Sequence, residues 1–185
     1  MTRVSSATWR RLDVPGTDSC SLLRTEHGWA LAGLAEFAHP RGWACVSYRV
    51  DCAPNWATRA AEIHGTVGDM HFAYQIQRTS PWTVNGERCP GVDDLVDIDF
   101  GFTPATNLIP MRRLALPPGQ PVAMSVAWFD LGERCLTSLP QHYTRRSPST
   151  IWYESPTANY EGMLELGESG FVASYPGLWA LERES

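Results

Sequence analysis

The sequence predicts a mainly β protein with little helix, built as antiparallel hairpins in series. Two observations carry this. Glycine and proline, 15 and 14 residues respectively, are spread along the chain at turn-like intervals. The segments between them are short and rich in β-branched and aromatic residues, with no long run of apolar positions at three-to-four spacing. A meander of this kind has to curl or close, because an open sheet leaves both its apolar face and its edges unprotected.

Taken in order, the strands are expected at Ser21 to Glu26 and Ala30 to Ala38, separated by His27-Gly28, then Trp43 to Asp51 after the break "HPRG". Ala57 to Val67 and Met70 to Arg78 flank "VGD", another loop of hairpin length with glycine to supply positive φ. Val96 to Phe102 reads as a strand by strict alternation, followed by Val122 to Asp130 and Leu136 to Arg145. Thr150 to Glu154, Tyr160 to Leu166 and Phe171 to Tyr175 complete the series, the last two joined by "GESG". No linker, low-complexity run or internal repeat interrupts residues 1–185, so one continuous domain is expected.

At 185 residues such a chain buries roughly two thirds of the surface that its unfolded form exposes. All 15 basic residues are arginine and the net charge is −5, which gives no basic field for a phosphate backbone, so nucleic acid is not an expected partner. No apolar run reaches the length of a transmembrane segment or a secretory core, and the expectation is a soluble, cytoplasmic protein. The five cysteines form no CxxC pair and are expected as free, mostly buried thiols. The five histidines have no metal-ligand spacing, and no nucleophile elbow, P-loop or dinucleotide fingerprint occurs. No metal, cofactor or catalytic residue is therefore assigned. Tryptophan, at 8 residues, suits both large cores and the stacking of sugar faces or cations.

The richest stretch is "DLVDIDFGFTPATNLIPMRRLAL", Asp94 to Leu116. Alternation sends Ile98, Phe100 and Phe102 to one face and Asp97 with Asp99 to the other. "TPATN" then breaks the strand, and Pro110 is expected to stop any helix from running on, leaving a sharp corner. Beyond it, Arg112 and Arg113 are candidates to pair with the aspartates, since buried charge needs a partner. Two carboxylates at this spacing could instead hold a ligand hydroxyl, or serve a hydrolase-like reaction at a cavity mouth. In "NWATRAAEI", Arg59 stands among small residues, and in "QHYTRR" Gln141, Tyr143 and Arg145 share a face that could form a polar rim.

The run "DIDFGFTPATNLIPMRRLAL", with "QHYTR" at 141–145 and "YPGLWAL" at 175–181, resembles the family called putative glycolipid-binding (DUF1089-type). "YRVDCAPNWATRAAEIHG" from Tyr48 and "WTVNGE" from Trp82 also look like its W-x-T-R and W-x-x-[ND]-G elements. Ile109 departs from the leucine common before the proline, and Ala53 from a frequent acid. The resemblance implies a single long antiparallel meander curled into a half-barrel or β-roll around a central apolar cavity, similar to bacterial lipoprotein carriers. It implies a glycolipid or another amphiphile as ligand, with Trp56, Arg59, Trp82, Asp97, Asp99, Asn107, Arg112, Arg113, Gln141, Tyr143 and Tyr175 as candidate contacts. The alternatives are the hydrolase-like use of Asp97 and Asp99, and an oligomerising domain whose sheet face is covered by another copy.

Overall fold

A computed structural model describes residues 1–185. The chain forms one curled sheet of 15 strands that does not close into a barrel. The first wing comprises β1 (Thr2–Arg11), β2 (Gly16–Thr25), β3 (Gly28–His39), β4 (Gly42–Cys52), β5 (Thr58–Val67), β6 (Met70–Arg78), β7 (Trp82–Val84) and β8 (Glu87–Arg88). The second comprises β9 (Ile98–Phe100), β10 (Pro121–Phe129), β11 (Thr137–Arg145), β12 (Thr150–Ser155), β13 (Tyr160–Leu166), β14 (Val172–Tyr175) and β15 (Trp179–Glu184). Spatial order follows chain order within each wing, and β1 pairs with β15 to join them, so the two chain ends meet mid-sheet. β9 pairs with β10 in parallel, which makes the sheet mixed rather than wholly antiparallel.

The expected segments from Ser21 to Tyr175 coincide with strands, while four strands escape the sequence pattern. β1 and β15 are too polar to read as strands, because each turns only a few side chains inward, Ala7, Trp9 and Trp179 among them. β7 and β8 have three and two residues. Shifts of register within β1 and next to Cys52 mark bulges, which bend strands and increase their twist.

Inside the curl lies the segment from Ile98 to Leu116. A 3₁₀ turn (Ala105–Asn107) leads into a short helix, α1 (Leu108–Arg113). Pro110 does not prevent this helix. It occupies the first turn, where its missing N–H has no intrahelical partner to lose. Every residue from Phe102 to Met111 is buried. The apolar interior expected of the fold is thus lined as anticipated but filled by the chain's own plug. Phe100 and Phe102 stack on each other at 5.2 Å and meet Tyr48 of β4 edge-on at 6.2 and 5.9 Å.

The two edges of the sheet approach each other around this plug. Thr58 N–H donates to the Val96 carbonyl at 3.2 Å, and its hydroxyl accepts from Ile98 N–H at 3.1 Å. Cys89 and Cys135 form a disulfide across the same gap, which corrects the expectation of five free thiols. Their separation in sequence concealed the pairing, since only the curl brings the edges together. Cys20, Cys45 and Cys52 are free. Burial raises the Cys52 thiol to about 12. No helix is long and apolar enough to cross a membrane.

Candidate functional site

The plug is fastened by three buried carboxyls, each held differently. Asp97 accepts two-point hydrogen bonds from Arg113, Nε to Oδ1 at 2.7 Å and Nη2 to Oδ2 at 2.8 Å. The carboxylate side chain is fully enclosed, while the guanidinium keeps 24% exposure. Asp99 has no cation. Its oxygens accept from the Thr106 hydroxyl at 2.6 Å and from Gln141 Nε2 at 2.7 Å. Gln141 in turn accepts from the Tyr143 hydroxyl at 2.8 Å, and Asn107 Nδ2 donates to that hydroxyl at 3.4 Å. Burial pushes the Asp99 carboxyl up, against the hydrogen bonds from Thr106 and Gln141.

The third carboxyl, Asp18 on β2, was not among the sequence candidates. It is completely buried, within hydrogen-bond reach of the Tyr48 hydroxyl at 3.0 Å and of the Thr103 hydroxyl on the plug. Burial raises its pKa to about 7, and the two hydroxyls moderate the rise. Tyr48 reaches Asp18 across Gly33, where a Cβ would lie 2.3 Å from the tyrosine ring. Asp18 shares an inward register with Cys20 and Leu22, both buried. That register is the signal, and it depends on β2 beginning at Gly16, ahead of the β-branched and apolar run that marks the strand in the sequence.

Where the plug ends, a groove of about 440 Å³ opens between α1 and the turns that join β11 to β12 and β13 to β14. Leu108, Met111 and Leu116 contribute apolar surface from the plug side, and Leu166 from β13. Arg112 and Arg145 stand in its wall. Arg112 Nη2 donates to the Ser169 carbonyl, and Arg145 donates to the Leu116 and Pro148 carbonyls at 3.2 and 2.9 Å. Neither guanidinium has a carboxylate within ion-pair reach. Glu184 is engaged elsewhere, accepting from the backbone N–H groups of Glu168 and Ser169. A comparable depression beside Ser5 and Glu184 has no apolar lining.

The sequence candidates are therefore distributed rather than gathered in one place. Arg112 lines the groove. Asp97 and Arg113 form an ion pair outside its lining, and Asp99, Asn107, Gln141 and Tyr143 form the buried network. The shared-face geometry expected for Asp97 and Asp99 does not join them in one cluster, since both sides of β9 are enclosed and each carboxyl finds its own partners. Tyr175 is buried against Tyr153 and Tyr160, with ring centroids 5.8 and 5.1 Å away. Trp82 is wholly within the core and donates from Nε1 to the Leu95 carbonyl at 2.9 Å. Arg59 is exposed on β5, and Trp56 is half-buried in the β4–β5 loop. No three His, Cys, Asp or Glu side chains converge as a metal site would require.

Comparison with known proteins places this architecture. The chain is similar to a DUF1089 family protein from Pseudomonas aeruginosa of known crystal structure, at 25% identity and a TM-score of 0.76. The similarity covers 88% of this chain and 91% of that one. No curated protein matches the sequence. The model of the family described as "Putative glycolipid-binding" matches residues 6–180. A match over nearly the whole length, joined to the shared curled sheet, means that the chain belongs to this family.

Proposed function

We propose that the protein binds an amphiphile of the glycolipid class, seating its hydrocarbon part on the groove floor and its polar head against Arg112 and Arg145. One observation carries the reading: a groove of about 440 Å³ with apolar floor residues and two guanidiniums that have no carboxylate partner. Its size falls within the range of roughly 300 to 1,000 Å³ common for small-molecule sites. An apolar floor beside fixed cations matches a molecule that is apolar at one end and hydroxylated or anionic at the other. In this reading the buried candidates do not touch ligand. Asp97, Asp99, Asn107, Gln141 and Tyr143 hold the plug, and through it the floor residues Leu108 and Met111.

Native mass spectrometry of protein purified from its own host weighs any retained amphiphile directly. Arg112→Glu should then release an anionic long-chain amphiphile while leaving the fold intact, because Arg112 is exposed. Full retention by that variant, or the absence of any uptake by the unmodified protein, removes the groove from consideration.

A further inference from the structure

The β2–β3 turn and the β4–β5 loop meet at the end of the sheet where β2 and β4 finish. A Cβ on Gly28 would fall 2.2 Å from the Cys52 carbonyl oxygen, so the two loops are in direct contact. Arg24 and Trp29 face each other across β2 and β3, and Trp29 faces Cys52 across β3 and β4. Cys52 is buried on the concave face. Trp29 therefore stands at the rim of that face. Trp56 stacks on Trp29, with centroids 4.9 Å apart and planes 15° from parallel. The Arg24 guanidinium carbon lies 4.4 Å from the Trp29 ring centroid.

Two features bear on what this pair can bind. Trp56 adopts φ 69, the left-handed region, which for a bulky side chain is a genuine outlier. The loop maintains it through hydrogen bonds from Trp56 N–H to the Ala53 carbonyl at 2.9 Å and from Ala53 N–H to the Ala57 carbonyl at 2.8 Å. The second feature is the state of the indole N–H groups. Trp9 and Trp82 donate to the Val172 and Leu95 carbonyls, whereas neither Trp29 nor Trp56 has a protein acceptor. Both rings are half-buried and keep part of their surface in solvent.

We infer that the Trp29–Trp56 stack with Arg24 is a binding platform for a pyranose ring. An indole presents an apolar face to the C–H face of a sugar, and its free N–H can donate to a hydroxyl. Arg24 has no carboxylate partner, so its N–H groups are open to further ligand oxygens. Its charge beside the rings disfavours a quaternary ammonium, the other common occupant of aromatic sites. The inference goes beyond the amphiphile reading by adding a sugar site separate from the groove, and it does not depend on the groove being occupied.

The test titrates methyl pyranosides of gluco, galacto and manno configuration, followed by saturation-transfer NMR and tryptophan fluorescence. Saturable binding is expected for at least one of them. Trp56→Gly removes the ring and suits the positive φ, so it should weaken that binding by roughly tenfold or more, without lowering the unfolding midpoint. Trp56→Phe should retain part of it. A protein that binds none of the three sugars, or a Trp56→Gly variant that binds as well as the parent, overturns the platform. A long-chain alkyl phosphate, which has no sugar, reports on the groove alone, so failure of either site is distinguishable from failure of the other.

Discussion

Three buried carboxyls secure one segment, and their different partners give them different consequences on mutation. Asp97 is the most dependent on its cation. Arg113→Ala would leave a fully enclosed carboxylate unpaired and is expected to cost about 3 to 5 kcal/mol in urea unfolding. Asp97→Ala should cost less, because the partly exposed guanidinium can turn into solvent. Asp18 behaves in the opposite sense. Its folded pKa, about 7, lies above the ordinary value of 3.8, so the native state binds the proton more tightly than the unfolded chain does. Stability is therefore fully present below the ordinary carboxylate range and is lost as pH rises toward 7, by a total of about 4 kcal/mol. Asp18→Asn preserves the shape and the hydrogen bonds with Tyr48 and Thr103. Unfolding midpoints measured between pH 4 and 8 should show a flatter slope in that variant. Asp99 and Asp130, both raised by burial, contribute to the slope that remains.

At the scale of elements, the segment from β9 through α1 fills the interior of the curled sheet. Its apolar side chains face both wings, so its removal is felt by strands distant in sequence. Phe102 is almost wholly buried, against Tyr48 and Phe100. Phe102→Ala should destabilise by about 3 to 5 kcal/mol, the usual range for a buried aromatic truncated in a core. Hydrogen exchange locates the effect: amides of β4 and of the plug should lose protection together. Faster exchange in the plug alone would mean that the segment is a separable insert, and the sheet would then retain its curl without it.

Over the whole molecule, a continuous cluster of 39 buried residues runs through both wings, and two covalent or hydrogen-bonded closures hold the curl. The β1–β15 ladder joins the wings at their centre, and Cys89–Cys135 joins them near their outer edges. A disulfide closing 46 residues is expected to restrict the unfolded chain by about 4 kcal/mol in the chain-entropy model. Reductant, or Cys89→Ser with Cys135→Ser, should lower the urea midpoint by a corresponding amount while leaving a single cooperative transition. Two transitions after reduction would show that the wings fold independently.

Hairpin spacing and the importance of residues 94–116 were legible in the sequence, because turn chemistry and strand alternation are local properties. The family resemblance was legible for the same reason, in motifs of contiguous residues. The roles within those motifs were not. Alternation assigned Asp97 and Asp99 to a common face with shared partners, but on a strand enclosed on both sides each carboxyl finds partners of its own, and only the curl of the sheet creates that enclosure. Asp18 meets Thr103, and Cys89 meets Cys135, across distances that no local pattern encodes. Trp56 and Trp82 looked alike as motif tryptophans, and packing separated them into a half-buried loop residue stacked on Trp29 and a core anchor. The sequence by itself determined most of the segments that become strands and where they turn. Tertiary structure alone decided which polar groups are buried together, because burial depends on what the opposite wing brings to the same space.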